Sequence, residues 1–193
     1  MMILLSTGIV AGYAGTRLLK KMTDKFLNEF EKIRKDMGEE KENSENLSSG
    51  IGLATLALSK TAKGPQEADF VALANSAIPK LEKALVHSSS STPVAIFLAR
   101  LYRWLQKLPD AIRVLEFAVD KRKAEGKTQD REDAIIFFNL ACYYNMQSRE
   151  GIDPLRADLK KKARAAFAAS VSVCPEFEAD IKTDADLKDL HDE

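Results

Sequence analysis

Between Leu98 and Val119 the apolar residues fall at steps of three and four, interrupted at Leu108-Pro109-Asp110. Leu98, Leu101, Tyr102 and Leu105 mark one face before the break, and Ile112, Leu115 and Val119 mark one after it. That spacing puts each set on one side of an α-helix and does not fit the two-residue alternation of a half-buried strand. Pro109 suits the first turn of a helix, where its missing N–H has no intrahelical partner to lose. The stretch therefore predicts two helices folded back on each other. The small Ala111 and Ala118 let them approach closely.

The helical period holds from Ile51 onward, with no alternating run and no hairpin dipeptide. Further helices are predicted over about 51–62, 66–87, 131–147 and 155–173. They are separated by Lys63-Gly64-Pro65, by the serine run after His87, by Gly126 and by a loop from Ser148 to Pro154. Pro79 predicts a kink in the second of these, or a fresh helix start. Thr92 followed by Pro93 reads as a cap and first helical residue. The expected fold class is all-α. A single helix pair cannot bury its apolar side alone, so the pairs must stack and share a core.

Some of these positions resemble a known family. The tetratricopeptide repeat (TPR) reads W-x2-L-G-x2-Y, then A-x3-F, then P. Here Ala95-x2-Leu98-Ala99-x2-Tyr102 is followed by Ala111-x3-Leu115 and Ala118. Phe137-x2-Leu140-Ala141-x2-Tyr144 is followed by Ala163-x3-Phe167, Ser170 and Pro175. An earlier pair matches only in its second helix, through Ala77-x3-Leu81 and Ala84. The resemblance covers roughly residues 92–193 and departs from the pattern at its Gly and Trp positions. It implies a TPR-like stack of about three antiparallel helix pairs, with the first helix of each pair lining a groove. On that projection the groove residues are Ile96, Arg100, Arg103 and Trp104 from one pair, and Ile135, Phe138, Cys142 and Asn145 from the next. Arg and Trp dominate binding hot spots, so Arg100, Arg103 and Trp104 point to an acidic or aromatic peptide segment. Equally, Trp104 can pack under a neighbouring pair and the arginines can form a solvated face. Asn139 is one match to a carboxylate-clamping groove. Ile96 and Arg100 stand where that clamp needs Lys and Asn, so the clamp's function does not carry over.

The front of the chain differs. Residues 1–16 carry no charged side chain, and Arg17, Lys20, Lys21 and Lys25 follow. With Leu18 and Leu19 the run reaches the length of a short membrane span, residues 1–19. The basic cluster behind it places the C-terminal body on the cytoplasmic or matrix-like side. Gly8, Gly12 and Gly15, with Ala11, make a small-residue stripe that suits close packing against another helix. A signal peptide is the competing reading, although no Lys or Arg precedes the apolar run. A helix buried in the body is the third. Residues 20–37 continue as an amphipathic stalk, and 38–50, rich in Glu, Asn, Ser and Gly, read as a linker to a body over 51–193.

The remaining composition narrows function by exclusion. Lys plus Arg and Asp plus Glu number 29 each, so no general attraction to nucleic acid follows. Two cysteines, Cys142 and Cys174, form neither a disulfide framework nor a metal motif. The two histidines are remote from any nucleophile motif, and no phosphate-cradling glycine loop occurs. The acidic C-terminal residues, Asp184 and Asp186 among them, lack a calcium-loop pattern and read as a solvated tail. No cofactor, metal or enzymatic activity is expected. The expected function is a protein-protein interaction scaffold or adaptor fixed to a membrane. The alternatives are a permanent accessory subunit of a large membrane complex, or a soluble TPR-like assembly factor or chaperone.

Overall fold

The computed structural model describes residues 41–61, 68–87, 91–127, 129–151, 154–187 and 190. Six longer helices run in order: α1 Lys41–Lys60, α2 Ala68–His87, α3 Ser91–Trp104, α4 Leu108–Ala124, α5 Arg131–Glu150 and α6 Leu155–Val173. A 3₁₀ turn, Pro175–Ala179, and a short α7, Asp180–Thr183, follow. Among the described residues there is no strand, as the helical period requires.

The helices pack two by two: α1 on α2, α3 on α4, α5 on α6. Each second helix also meets the next first helix, and α3 reaches both α1 and α5. The two later pairs are antiparallel. Thr92 at the start of α3 bonds Arg122 at the end of α4, and Ser170 near the end of α6 donates to the carbonyl of Ala134 near the start of α5. The core is continuous from Ile51 to Leu190. Its centre is α3, in which every residue from Thr92 to Ala99 is buried. The alanines at 95, 99, 111, 118, 141 and 163 are all fully buried, which is what close helix approach needs.

Two of the turns share one design. After α3, the N–H of Lys107 donates to the carbonyl of Tyr102 and that of Gln106 to Arg103. After α4, the N–H of Lys127 donates to Arg122 and that of Gly126 to Lys123. Both are Schellman turns, whose left-handed residue favours glycine. Gly126 meets that demand at φ 69°, and Gln106 takes it at φ 61°.

One expectation needs correcting. Residues 41–50 are not linker but the first half of α1. Leu47 packs on the core, and Gly50 is buried where α1 crosses α2. Tertiary contact outweighs the weak helix preference of Asn, Ser and Gly there. Pro79 lies inside α2, which continues through it without a fresh start. Pro79 and Asn75 both lie on the exposed face, so the Asn75 carbonyl that loses its donor can turn to water.

Gly50 marks the closest approach of α1 to α2. A Cβ there would stand 2.9 Å from Cδ2 and 3.0 Å from Cγ of Leu81, which is itself fully buried. Gly50→Leu is expected to destabilise the protein by about 2–3 kcal/mol through overpacking, despite leucine's better helix preference. Chemical denaturation measures this. A variant as stable as the parent would show that the crossing has room to spread.

Residues 1–19 and 20–37, read as anchor and stalk, lie outside the described residues, and Gly8, Gly12 and Gly15 lie there with them. No helix among the described residues is long and apolar enough to cross a membrane.

Candidate interaction surface

The first helices of successive pairs, α3 and α5, present adjoining faces. On α3, Ile96, Arg100 and Arg103 are spaced at four and three residues and share a side. On α5, Phe138, Cys142, Asn145 and Arg149 do the same. The chain's own C-terminal segment lies along this surface. At the start of α5, Phe177 of the 3₁₀ turn packs on Phe138 with ring centroids 5.2 Å apart, and Phe167 of α6 stands 6.4 Å away. Further along, Asp186 is held from both helices. Its carboxylate pairs with Arg103 at 2.5 Å. Its backbone carbonyl accepts from Asn145 Nδ2 at 2.7 Å, and Arg149 donates to the carbonyl of Ala185 at 3.0 Å. Asp184 shapes the segment from within: its carboxylate accepts the Asp186 N–H at 2.7 Å. Leu187 is fully buried and Leu190 nearly so.

The expected solvated tail is therefore wrong for Asp184 and Asp186. The charged pattern of Asp184 and Asp186 hid two buried leucines three residues apart. Alternating Asp with Leu was the available signal, because solvated tails have no reason to keep leucines in helical register.

The groove residues divide accordingly. Ile96 and Ile135 are buried core side chains. Asn145 is fully buried beneath the segment. Phe138 belongs to the aromatic contact with α6 and the 3₁₀ turn. Arg103 lies 5.4 Å over the ring of Trp104, which packs half-buried against the core. Asn139 donates to the carbonyl of Ile135 in its own helix and takes no part. Arg149 is the residue missed; it lies one helical turn beyond Asn145 on the same face.

Electrostatics distinguish the two arginines. Burial works against the charge on Arg103, but Asp186 foremost, with Tyr143 and Cys142, outweighs it and holds its pKa above the ordinary value. Arg100 has no such relief. Burial foremost lowers its pKa, and the like charge of Arg103 adds to that. It has no hydrogen-bond or ion-pair partner among the described residues. Tyr143 is pushed up to about 12 by burial. Burial also drives the Cys142 thiol well above its usual range, so it stays protonated. Among the described residues no group of three metal-ligating side chains comes together.

A second feature repeats between the pairs. Tyr102 of α3 donates to Glu82 of α2, and Tyr144 of α5 donates to Glu116 of α4. Each tyrosine closes its L-A-x2-Y stretch, and each glutamate directly follows the leucine of an A-x3-L stretch. The same joint thus ties each second helix to the next first helix. Comparisons with protein-family models, with curated proteins and with solved structures found no match to this chain.

Proposed function

We propose that this chain is a non-catalytic protein-interaction module: a TPR-like array of three helix pairs whose α3–α5 face receives a partner segment. The observation carrying the array is the repeated Tyr–Glu joint at equivalent positions. A repeat-by-repeat stack builds such joints, whereas an irregular bundle has no reason to reuse one. Burial of Gly50, Ala54 and Ala57 in α1 adds support, since Gly50-x2-Leu53-Ala54-x2-Ala57 has the spacing of Ala95 to Tyr102. The observation carrying recognition is Arg100, a half-buried cation with no carboxylate partner among the described residues.

The module is held to a membrane by residues 1–19, with the body on the cytoplasmic or matrix-like side. The small-residue stripe of Gly8, Gly12 and Gly15 favours a second form of the same reading, in which the chain is a permanent accessory subunit of a membrane complex. Native electrophoresis after mild detergent extraction separates the two. One large discrete assembly identifies a subunit, and migration near the chain's own mass plus detergent identifies an adaptor. Resistance to carbonate extraction tests the anchor, and release into the supernatant would remove it.

Arg100 gives a direct test because its replacement breaks no ion pair among the described residues. Full-length Arg100→Glu is expected to keep its melting transition and to retain less than a tenth of the wild-type level of co-purifying partner. Undiminished partner recovery would sink the α3–α5 reading.

A further inference from the structure

Residues 184–187 lie where a ligand of the α3–α5 face would lie, and their fit is incomplete. Asp186 meets Arg103 and Asn145, and Leu187 is buried in the core. Yet Arg100, one turn before Arg103 on the same side of α3, has no carboxylate partner among the described residues. Oδ1 of Asn145, buried under the same segment, has no donor among the described residues. More than nine in ten buried polar groups in folded proteins find a partner, so an unmet amide oxygen beneath this segment is unusual. That oxygen keeps a desolvation cost that a better-matched occupant would remove, and half-buried Arg100 adds a positive charge that a carboxylate would complement. The segment carries a cost of its own: burial raises the pKa of Asp184, so its charge is held unfavourably at neutral pH.

We propose that Asp184–Leu187 is a built-in placeholder in this groove, displaced by an acidic, leucine-bearing peptide of a partner protein that brings one further carboxylate to Arg100. The inference rests on the interaction-module reading and adds the chemistry of the partner segment. An aspartate takes the place of Asp186, a leucine follows it in the place of Leu187, and a second carboxylate lies about 5 Å further along α3, the rise between Arg103 and Arg100. A donor facing Asn145 Oδ1 completes the match. The tethered placeholder has a high effective concentration, in the millimolar range for short connections. A free peptide without the added contact therefore competes poorly, which makes the groove selective.

The probe is a fluorescein-labelled synthetic peptide of residues 180–193, titrated against the full-length protein and read by anisotropy. Asp186→Lys in the full chain turns the Arg103 pair into a repulsion and is expected to raise peptide affinity at least ten-fold over wild type. A folded Asp186→Lys protein that binds no better than wild type overturns the placeholder. A scan placing one extra aspartate at each peptide position is expected to yield at least one peptide binding ten-fold tighter still. That gain should vanish in Arg100→Gln, and no gain at any position overturns the Arg100 assignment. A wild-type dimer dissolved by the peptide would overturn the partner peptide in favour of a second copy's tail.

Hydrogen exchange on the wild-type protein covers the case in which Asp186→Lys does not fold. The amides of Asp186 and Leu187 are expected to exchange at least ten-fold faster than those of Leu140 to Asn145. Equal protection would make the segment a fixed part of the core and overturn the proposal. Partner loss in Arg100→Glu alongside equal protection would leave the module reading intact and remove only the placeholder.

Discussion

Arg122→Ala is expected to lower the unfolding free energy by roughly 3 kcal/mol. In a chain of this size that corresponds to a fall in melting temperature of about 6–12 °C. Arg122 sits at the end of α4, almost fully buried, where α3, α4 and α5 converge. Its Nε bonds Asp133 at 2.6 Å, and its terminal nitrogens reach Glu132 at 2.7 Å, Asp130 at 2.5 Å and the Thr92 hydroxyl at 3.0 Å. Asp130 and Glu132 are substantially exposed and would find water in the variant. Asp133 would not: its side chain is 7% exposed, and the Gln129 N–H would be its remaining partner. The stranded charge makes the effect large, so adding Asp133→Asn should recover part of the loss. A single variant within 1 kcal/mol of wild type would show that the knot is a surface feature.

The same knot has a pH signature. Burial opposes the charge on Asp130, but the backbone N–H of Asp133 and the Arg122 guanidinium outweigh it and depress its pKa. A depressed carboxyl contributes stability that is complete above its unfolded pKa, about 3.9, and lost as pH falls through the folded value. Asp130→Asn keeps the helix cap and removes the charge. Its deficit against wild type should therefore be constant near neutrality and shrink below about pH 4.

Leu98→Ala is the other large effect, expected at about 3–4 kcal/mol. Leu98 is fully buried in α3, the helix touched by α1, α2, α4 and α5. A site walled on all sides cannot collapse into the vacated volume, so the cavity adds to the lost transfer energy. Denaturant titration should show a lower midpoint at unchanged slope. Phe117→Ala, at a side chain 44% exposed, is the control and should cost under about 1 kcal/mol. A Leu98 effect no larger than the control's would mean that α3 can be repacked by its neighbours.

Apolar spacing alone located α3, α4, α5 and α6, because their buried sides repeat at three and four residues. It missed the first half of α1 for a definable reason. Leu47, Gly50 and Ile51 are its inward residues there, and one of the three has no side chain. A glycine that permits close approach carries no hydropathy signal. Helical spacing placed Arg103 and Asn145 among the groove positions, and both meet Asp186. The covering of the α3–α5 face was not legible. Ion pairs such as Arg103 with Asp186 join residues far apart in sequence, and no local period encodes them. The Arg122 knot was hidden likewise, its arginine reading as one more charge at a helix end.

The Arg103–Asp186 bond also has a mechanical meaning. It returns the end of the last helix pair to the middle pair, so tension on the C-terminal end reaches this clasp before the Tyr–Glu joints between pairs. Pulled from that end, the chain should release the segment at low force as a short first extension, and the stack should then rupture pair by pair at higher force.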